Sequence, residues 1–359
     1  EGLFQVISRK LKESQNYNDR VVIMSFVSCI SVFIFFIIMS YLTLQMTKTM
    51  ISIIKNRENE VTIERDESLR MLNVIEVYTK MSVVRKLQEG VDPTQLPPEK
   101  KDLAILFCDI RDFTKISENL EPIKVLEILN PYFAMMNEVI IEFNGEIDKL
   151  MGDCIMAIFE SPDDAVKAAI GMRDYIKQNK LDLVNGIGIH YGSVITGNIG
   201  SPWKLDYTVI GDVVNVASRL EALTKIYNAG IVISDAVKEK LTAKYNLIDL
   251  DMIMVKGRST PIKIFGIYDD ISLIPSKIIY KFKSKLKLAF KYYVEGDFEK
   301  SLKIYNSISK YIDQEKYPSF SHLEFYKGRC IELIKKKRRG EVKNWNGIYD
   351  FSGKKWNLM

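Results

Sequence analysis

Two aspartates, Asp109 and Asp153, each stand at the end of an apolar stretch of the chain. Asp109 follows Leu103–Cys108, a continuous run rich in strand-forming residues. Asp153 follows Gly152 between two short apolar segments, and a Gly-Asp pair suits the tight turn of a β-hairpin. If these strands are neighbours, both carboxylates lie at one edge of one sheet. Carboxylate oxygens are the hard ligands that Mg²⁺ prefers, so the pair predicts two metal ions beside a triphosphate; two ordinary turn aspartates are the alternative.

A second set of polar residues lies on a predicted helix. Asp212 follows a glycine and precedes apolar residues at helical spacing, which indicates a helix start. Asn215 and Arg219 are four residues apart and therefore share one face of that helix. An arginine fork suits phosphate oxygens, whereas plain solvation of a helix surface is the alternative. The turn after Asp109 also places backbone N–H groups at a helix start, where they can hold phosphate oxygens.

The order of these stretches resembles that of one enzyme family. Between Asp102 and Tyr268 the chain carries, in order, FCDIRDFT, DKLMGDCIMAIF, GIGIHYG, DYTVIGDVVNVASRLE and MVKGRSTPIKIFGIY. Together these motifs resemble the catalytic domain of class III nucleotidyl cyclases. The resemblance implies an α+β fold in which helices cover a mostly antiparallel, ferredoxin-like sheet. It also implies a homodimer with two shared sites, in which one subunit supplies the metal aspartates and the other supplies the remaining contacts.

The resemblance assigns a role to each matching residue. Asp109 and Asp153, with the backbone of Ile110, correspond to the ligands of two Mg²⁺ (or Mn²⁺) ions per site. Asn215 corresponds to the residue that orients the ribose, and Arg219 to the one that binds triphosphate charge in the transition state. The further triphosphate contacts are Lys256, the backbone of Phe113, Thr114 and, in a variable loop, Lys204.

Two more positions decide which base is bound. In adenylyl cyclases of this family a Lys and an Asp or Thr contact the adenine edge, whereas guanylyl cyclases carry Glu and Cys or another small residue. Here the two positions are Lys149 and Thr208. Lys can donate to an adenine ring nitrogen and Thr can accept from the exocyclic amine. The resemblance therefore implies an adenylyl cyclase of a largely bacterial Lys/Thr subgroup, which converts ATP to cyclic AMP and pyrophosphate.

Other functions stay open at this point. Lys149 disfavours a guanylyl cyclase, and a diguanylate cyclase needs a GGDEF-like hairpin where this chain reads LMGDC. A catalytically silent module that binds nucleotide is disfavoured, because every motif residue is present. His190 is a lone strand histidine, which is more often structural than a general base, and the family places no catalytic base there. The sequence identifies no general base.

The composition is that of a globular protein that carries a membrane segment. The chain has 359 residues, of which 47% are hydrophobic and 27% charged, and its net charge is only +5. This charge does not call for nucleic acid, so we expect no nucleic-acid partner. The four cysteines have neither paired nor metal-ligand spacing and predict reduced thiols in a cytosolic domain.

An uncharged apolar stretch at residues 21–44 is long enough to cross a bilayer, which predicts a transmembrane helix rather than a cleaved signal peptide. Basic residues precede and follow it, so the positive-inside rule does not orient it. ATP chemistry places the catalytic domain in the cytoplasm, at the cell (inner) membrane. Residues 1–20 form a juxtamembrane segment, and the first residue is Glu1, which leaves room for an upstream sensor domain.

Residues 45–90 predict a helical linker. Met71, Val74, Tyr78 and Met81 recur at steps of three and four, as in a coiled-coil dimer seam; an amphipathic helix packed on the domain is the alternative. Residues 91–101 contain three prolines and predict a second linker, ahead of the catalytic domain at 102–268.

We expect the helical pattern of residues 122–143 to break near Pro131. The C-terminal residues 269–359 predict a helical tail. It resembles a single helix-turn-helix unit of the tetratricopeptide kind, with Gly296-Asp297 at the turn and a third helix from about Ser319 to Lys337. Because one such unit cannot bury its own face, it should pack on the catalytic domain or on its copy in a dimer.

Overall fold

The computed structural model describes residues 2–201, 203–255, 260–267, 276–312, 322–342 and 345–350. The chain divides into two compact units, Glu1–Tyr78 and Thr79–Met359. The first unit is one long helix. The second unit contains the sheet, the helices that cover it and the candidate residues for metal and nucleotide binding.

The helices are α1 (Gly2–Tyr78), α2 (Met81–Gln88), α3 (Phe113–Ser117), α4 (Pro122–Glu142), α5 (Pro162–Gln178), α6 (Asp212–Tyr227), α7 (Asp235–Lys240), α8 (Ser276–Val294), α9 (Phe298–Ser309) and α10 (His322–Arg338). The strands are β1 (Glu99–Ile110), β2 (Glu146–Met151), β3 (Cys154–Phe159), β4 (Asn185–Ser201), β5 (Lys204–Ile210), β6 (Ile231–Ser234), β7 (Leu247–Met254), β8 (Ile262–Ile267) and β9 (Tyr349–Asp350).

One nine-stranded sheet forms the centre of the second unit. Its strand order is β2-β3-β1-β4-β6-β8-β7-β9, and β5 pairs with β4 beside this path. The pairs β4–β6 and β7–β9 are parallel, and the other pairs are antiparallel. The predicted α+β fold, a mostly antiparallel sheet covered by helices, is confirmed.

The predicted hairpin around Asp153 is also confirmed. The pairing of β2 with β3 ends at Met151 and Cys154, so Gly152 and Asp153 form the turn. Gly152 has a φ of 66°, a left-handed conformation that glycine adopts without steric cost. The local sequence therefore places the Asp153 carboxylate at the tip of the hairpin.

The prediction that the helix breaks near Pro131 is wrong. The helix α4 runs through this proline without interruption. A proline inside a helix removes one backbone hydrogen bond, but Leu129, Tyr132 and Met136 on both sides of it are buried in the core. This packing holds the helix together, since tertiary contacts supply most of the stability of a helix in a protein.

The strand β1 begins at Glu99, inside the segment predicted as a proline-rich linker, rather than at Leu103. Its first residues pair with β4, as Glu99 does with Thr196. These residues are polar and exposed, so the apolar pattern that marks a strand does not include them. Their structure depends on the length of β4, which the local sequence does not reveal.

Each face of the sheet is covered by different helices. On one face, α4 and α5 pack against Ala104, Leu106 and Cys108 of β1. On the other face, α6 packs against the alternate residues Ile105 and Phe107. This alternation follows from the period of two residues in a strand. The alternation therefore places Asp109, two residues after Phe107, on the face that α6 covers.

The C-terminal helices extend the core of the second unit. The predicted turn at Gly296-Asp297 joins α8 to α9, and the Asp297 side chain caps α9 by accepting a bond from the Lys300 N–H over 3.1 Å. The predicted third helix is α10, while Ser319 lies outside the described residues. Aromatic residues of these helices share one buried cluster with α6 and β7: Phe290, Tyr293, Phe298, Tyr305 and Tyr326. The prediction that the tail packs on the catalytic domain is confirmed.

The first unit contains the predicted membrane span. Within the part of the chain that the structure describes, α1 is the one helix long and apolar enough to cross a membrane, judged by length and composition. The seam residues Met71, Val74 and Tyr78 are exposed on it, and the helix ends at Tyr78, before Met81 begins α2. A coiled-coil dimer seam therefore stays a prediction.

Candidate active site

The Asp109 and Asp153 carboxylates meet at one end of the sheet. Asp109 is the second-last residue of β1, and Asp153 lies in the β2–β3 turn. The two side chains share a hydrogen bond. Partial burial and then the adjacent Asp153 charge raise the pKa of Asp109 to about 6. Two carboxyl groups this close compete for ionisation, and a bound cation would remove that competition.

The donor set suits a hard divalent cation that keeps ligands from outside the protein. Among the residues that the structure describes, no group of three or more His, Cys, Asp or Glu side chains could hold a metal ion. The predicted protein ligands are the two carboxylates, with the Ile110 backbone beside them. Mg²⁺ binds in this way, with one or two carboxylates completed by water and substrate phosphates.

Glu221 on α6 interacts with the charges of this pair, and no sequence motif pointed to it. Burial, and then the charge of Asp109, raise the pKa of Glu221 to about 8. Gly188 of β4 permits the close approach of the helix, because a Cβ there would lie 2.0 Å from the Glu221 backbone nitrogen. The alternation of Gly186 and Gly188 was the available signal, since glycines within a strand often mark a close backbone approach.

The residues predicted to read the base lie between β2 and β5. The Lys149 ammonium forms an ion pair with the Asp206 carboxylate. The Thr208 hydroxyl donates to Asp148 Oδ2 over 2.7 Å. Lys149 is partly exposed, and Thr208 is buried. The fold thus brings the two base-reading positions together through their neighbours Asp148 and Asp206.

Asp109 and Lys149 share one face of the sheet. Phe107 pairs with Met156, which in turn pairs with Lys149, and directly opposite residues lie on the same face. Asp109 is two residues beyond Phe107 and so belongs to that face as well. The helix α6 packs on the same face through Val213.

The remaining predicted residues occupy scattered positions. Asn215 is exposed and Arg219 is partly buried on α6. Thr114 is exposed and Phe113 buried at the start of α3, and Lys204 is exposed at the start of β5. Lys256 lies outside the described residues. Their roles stay predictions.

His190 and Asp112 each have a defined local environment. His190 is buried and its Nδ1 lies 2.7 Å from the Ser234 hydroxyl, which is the environment of a structural histidine. Asp112 occupies the N-cap position of α3, but its side chain makes no capping hydrogen bond. It pairs instead with Lys115 over 3.5 Å.

The fold and this face of the sheet define a nucleotidyl cyclase domain. Residues 96–268 match the adenylate and guanylate cyclase catalytic domain family. Residues 96–268 thus form a domain of the class III nucleotidyl cyclase family. Domains of this family bind a nucleotide substrate, use divalent metal ions and act as dimers.

Individual relatives are adenylyl cyclases. The chain is 42% identical over 188 residues to an adenylate cyclase of Anabaena cylindrica, an alignment that covers 46% of this chain and 36% of that one. It is 31% identical over 206 residues to adenylate cyclase 1 of Rhizobium meliloti, with 53% and 31% of the two chains covered. The structure of a bacterial light-regulated adenylyl cyclase superposes with a TM-score of 0.53 and 29% identity, over 60% of this chain and 67% of that one. The chain spans about a third of the length of these two curated relatives.

Proposed function

We propose that this chain is a membrane-anchored adenylyl cyclase that converts ATP to 3′,5′-cyclic AMP and pyrophosphate. One observation carries the proposal: a carboxylate pair suited to divalent metal includes Asp109, which lies on the same face of a cyclase sheet as Lys149, and the residue before Lys149 contacts Thr208. Sequence identity to two adenylate cyclases supports the same substrate.

The metal-binding end of the site would be formed by Asp109 and Asp153. Two Mg²⁺ ions bound there would neutralise the triphosphate and favour attack of the ribose 3′-hydroxyl on the α-phosphorus. The protein residues position the reactants: Asn215 would orient the ribose, and Arg219 would bind the charge that develops on the phosphates.

Base choice would follow from the polarity of two groups. The Lys149 ammonium is a donor and suits a ring nitrogen of adenine, while the Thr208 oxygen accepts from its amino group. Guanine presents the opposite pattern at its 6-position, an acceptor in place of a donor. A site whose buried polar groups are left unpaired rejects a ligand strongly, and this supports ATP over GTP.

A homodimer is the proposed active form. The second unit exposes large apolar side chains on β2, β4 and β5, namely Leu150, Ile195, Ile210 and the neighbouring Trp203, which is 95% exposed. Ile195 and Ile210 lie directly opposite each other, and adjoining exposed apolar side chains favour a contact surface. A head-to-tail pair of identical chains would create two equivalent sites.

Membrane attachment would come from residues 21–44 within α1, with the catalytic domain in the cytoplasm. A helix that crosses the membrane restricts two chains to one plane and raises their effective concentration. We propose the cell (inner) membrane as the location and an upstream sensor as an additional partner.

The product identifies the function directly. The full chain in detergent is incubated with Mg²⁺ or Mn²⁺ and either ATP or GTP, and the product is identified by mass. We expect cyclic AMP from ATP and far less cyclic GMP. Exchange of Lys149 for Glu and Thr208 for Cys should reduce ATP turnover on the order of 10⁴-fold, because adenine then meets unpaired polar groups. An unchanged preference for ATP in this double variant would place the base contacts elsewhere.

A further inference from the structure

The carboxylate of Asp148 is buried beside the base-reading threonine. Its side chain is 0% exposed. Its Oδ2 accepts the Thr208 hydroxyl proton over 2.7 Å, and its Oδ1 accepts from the Lys80 ammonium over 2.5 Å. A buried carboxylate needs such partners, because an isolated charge away from water is costly.

A β-bulge brings Asp148 to this position. Ile147 pairs with Ala157 and Lys149 with Met156, so Asp148 is an extra residue in β2. In a regular strand, consecutive side chains point to opposite faces. Here Asp148 and Lys149 both reach β5, where their partners Thr208 and Asp206 are two residues apart and therefore share a face. Bulges redirect side chains in this way and are common next to active sites.

Lys80 fixes this arrangement from the start of α2. It occupies the N-cap position of that helix, and its side chain is only 12% exposed. Besides Asp148, the ammonium also donates to the backbone carbonyl of Tyr207, the residue before Thr208. The Ser82 N–H donates to Glu146 Oε1 over 2.9 Å, which adds a second tie between α2 and β2.

The contact between Asp148 and Thr208 determines what Thr208 can offer to a ligand. A hydroxyl has one proton to donate and two lone pairs that accept, while an ionised carboxylate only accepts. Because the Thr208 proton is donated to Asp148, the Thr208 oxygen can only accept from a ligand. Adenine carries a donating amino group at its 6-position, whereas guanine and hypoxanthine carry an accepting oxo group there.

We propose that Asp148, held by Lys80, is a positioning residue that sets base specificity by withdrawing the Thr208 proton from the ligand. The inference rests on the proposed adenylyl cyclase function. With asparagine at position 148, the amide oxygen would stay on Lys80 and the amide N–H groups would face Thr208, so the Thr208 hydroxyl could donate to a 6-oxo group. The site then loses its preference for the 6-amino purine.

The test compares ATP with inosine triphosphate, whose base carries a 6-oxo group and lacks the 2-amino group of guanine. We measure kcat/KM for both nucleotides in the full chain and in Asp148→Asn. In Asp148→Asn, the kcat/KM for ATP divided by the kcat/KM for inosine triphosphate should fall by about tenfold, which is the effect of one hydrogen bond. In a Thr208→Val background, which has no hydroxyl proton, Asp148→Asn should leave the ratio unchanged.

Asp163→Asn is the matched control. Asp163 is also an aspartate buried to 7% exposure, and it accepts from a threonine hydroxyl, that of Thr242, over 2.6 Å on another part of the fold. Its loss should lower the midpoint of thermal unfolding without moving the nucleotide ratio. Independent sites add only to within about twofold. If the ratio in Asp148→Asn differs from that of the unchanged chain by less than this, the inference is wrong.

Lys80→Met gives a second test that leaves Asp148 in place. Without the Lys80 ammonium, the Asp148 carboxylate loses the partner that holds it toward Thr208, so the ratio should fall here as well. Lys86→Met, at an exposed position on the same helix, is the control and should keep the ratio. Each variant could instead lower kcat/KM for ATP and for inosine triphosphate by the same factor. Asp148 would then have only a structural role, and the inference would be wrong.

The outcomes separate this inference from the proposed function. If the unchanged chain forms no cyclic nucleotide, the proposed function fails and the inference falls with it. If the unchanged chain prefers ATP and no Asp148 or Lys80 variant alters the ratio, the proposed function stands and the inference alone is rejected.

Discussion

Arg329 of α10 donates a hydrogen bond to the Asp251 carboxylate of β7 over 2.5 Å, and both side chains are buried. The same carboxylate oxygen accepts from the Tyr227 hydroxyl of α6 over 2.6 Å. The guanidinium also lies 4.8 Å from the centre of the Tyr293 ring of α8. One buried charge pair thus joins three helices to the edge of the catalytic sheet, and the C-terminal tail is part of the fold of the second unit.

Arg329→Met should therefore destabilise the protein strongly. The substitution leaves Asp251 as a buried charge without its cation, which costs about 3–5 kcal/mol in comparable pairs. Arg338→Met on the same helix is the control, because Arg338 and its partner Glu299 are both largely exposed. Chemical denaturation of the two variants measures the difference. Equal free energies of unfolding would mean that the tail is not held by this pair.

A second prediction concerns the metal site. Asp109→Asn and Asp153→Asn should each abolish turnover, since Mg²⁺ loses one of its two carboxylates. Each should also raise the unfolding midpoint of the metal-free protein, because the substitution removes the competition between two adjacent carboxyl groups. Thermal unfolding with and without Mg²⁺ measures both effects.

Asp112→Asn is the control for this experiment, because Asp112 is exposed and close in sequence but is not a proposed ligand. It should keep both turnover and the stabilisation by Mg²⁺. Near-wild-type turnover in either Asp109→Asn or Asp153→Asn would refute the two-metal assignment.

The raised pKa of Glu221 predicts a pH dependence of stability. Folding raises this pKa from 4.5 to about 8, so the folded protein binds the proton more tightly than the unfolded chain does. The stabilisation that the proton provides is complete below about pH 4.5 and is lost as the pH rises to about 8. Relative to the wild type, Glu221→Gln should become progressively more stable across that interval. Unfolding midpoints measured in chelator from pH 5 to about pH 9 test this, and parallel curves would contradict it.

Local sequence was sufficient for the elements that short-range chemistry determines. The Gly152-Asp153 turn and the start of α6 at Asp212 follow from turn and cap preferences of neighbouring residues. The helix-turn-helix of the tail follows from Gly296 in the same way. The carboxylate pair at the sheet edge was predictable because both aspartates follow recognisable strands.

Long-range contacts were not predictable from the sequence. The strand β1 starts at Glu99 because β4 is long, and Pro131 stays helical because residues around it are buried by the sheet. The Lys80–Asp148 pair joins residues far apart in the sequence, and the bulge that exposes Asp148 to Thr208 leaves no local signal. A helical or strand pattern reports which face is apolar, but it does not report which distant polar group a buried charge will meet.

The last prediction is that the active site is shared between two chains. Asp109→Ala would remove a metal ligand from one half of each site, and Asn215→Ala would remove the ribose contact from the other half. Each variant should be inactive alone. A mixed dimer contains one site with both substitutions and one site with neither, so a mixture that exchanges subunits freely should recover about one quarter of the wild-type activity.

Mixing Asp109→Ala with Asp153→Ala is the matched control. Both substitutions lie in the metal-binding half, so each site of the mixed dimer carries one of them and no activity should return. Mixed dimers are verified by pulling down one tagged chain and detecting the other. Absence of recovery with Asn215→Ala, in samples where mixed dimers are present, would mean that a single chain contains the complete site. Recovery in the Asp109→Ala and Asp153→Ala mixture would mean that the two carboxylates act in different sites, in contradiction to the hydrogen bond that joins them within one chain.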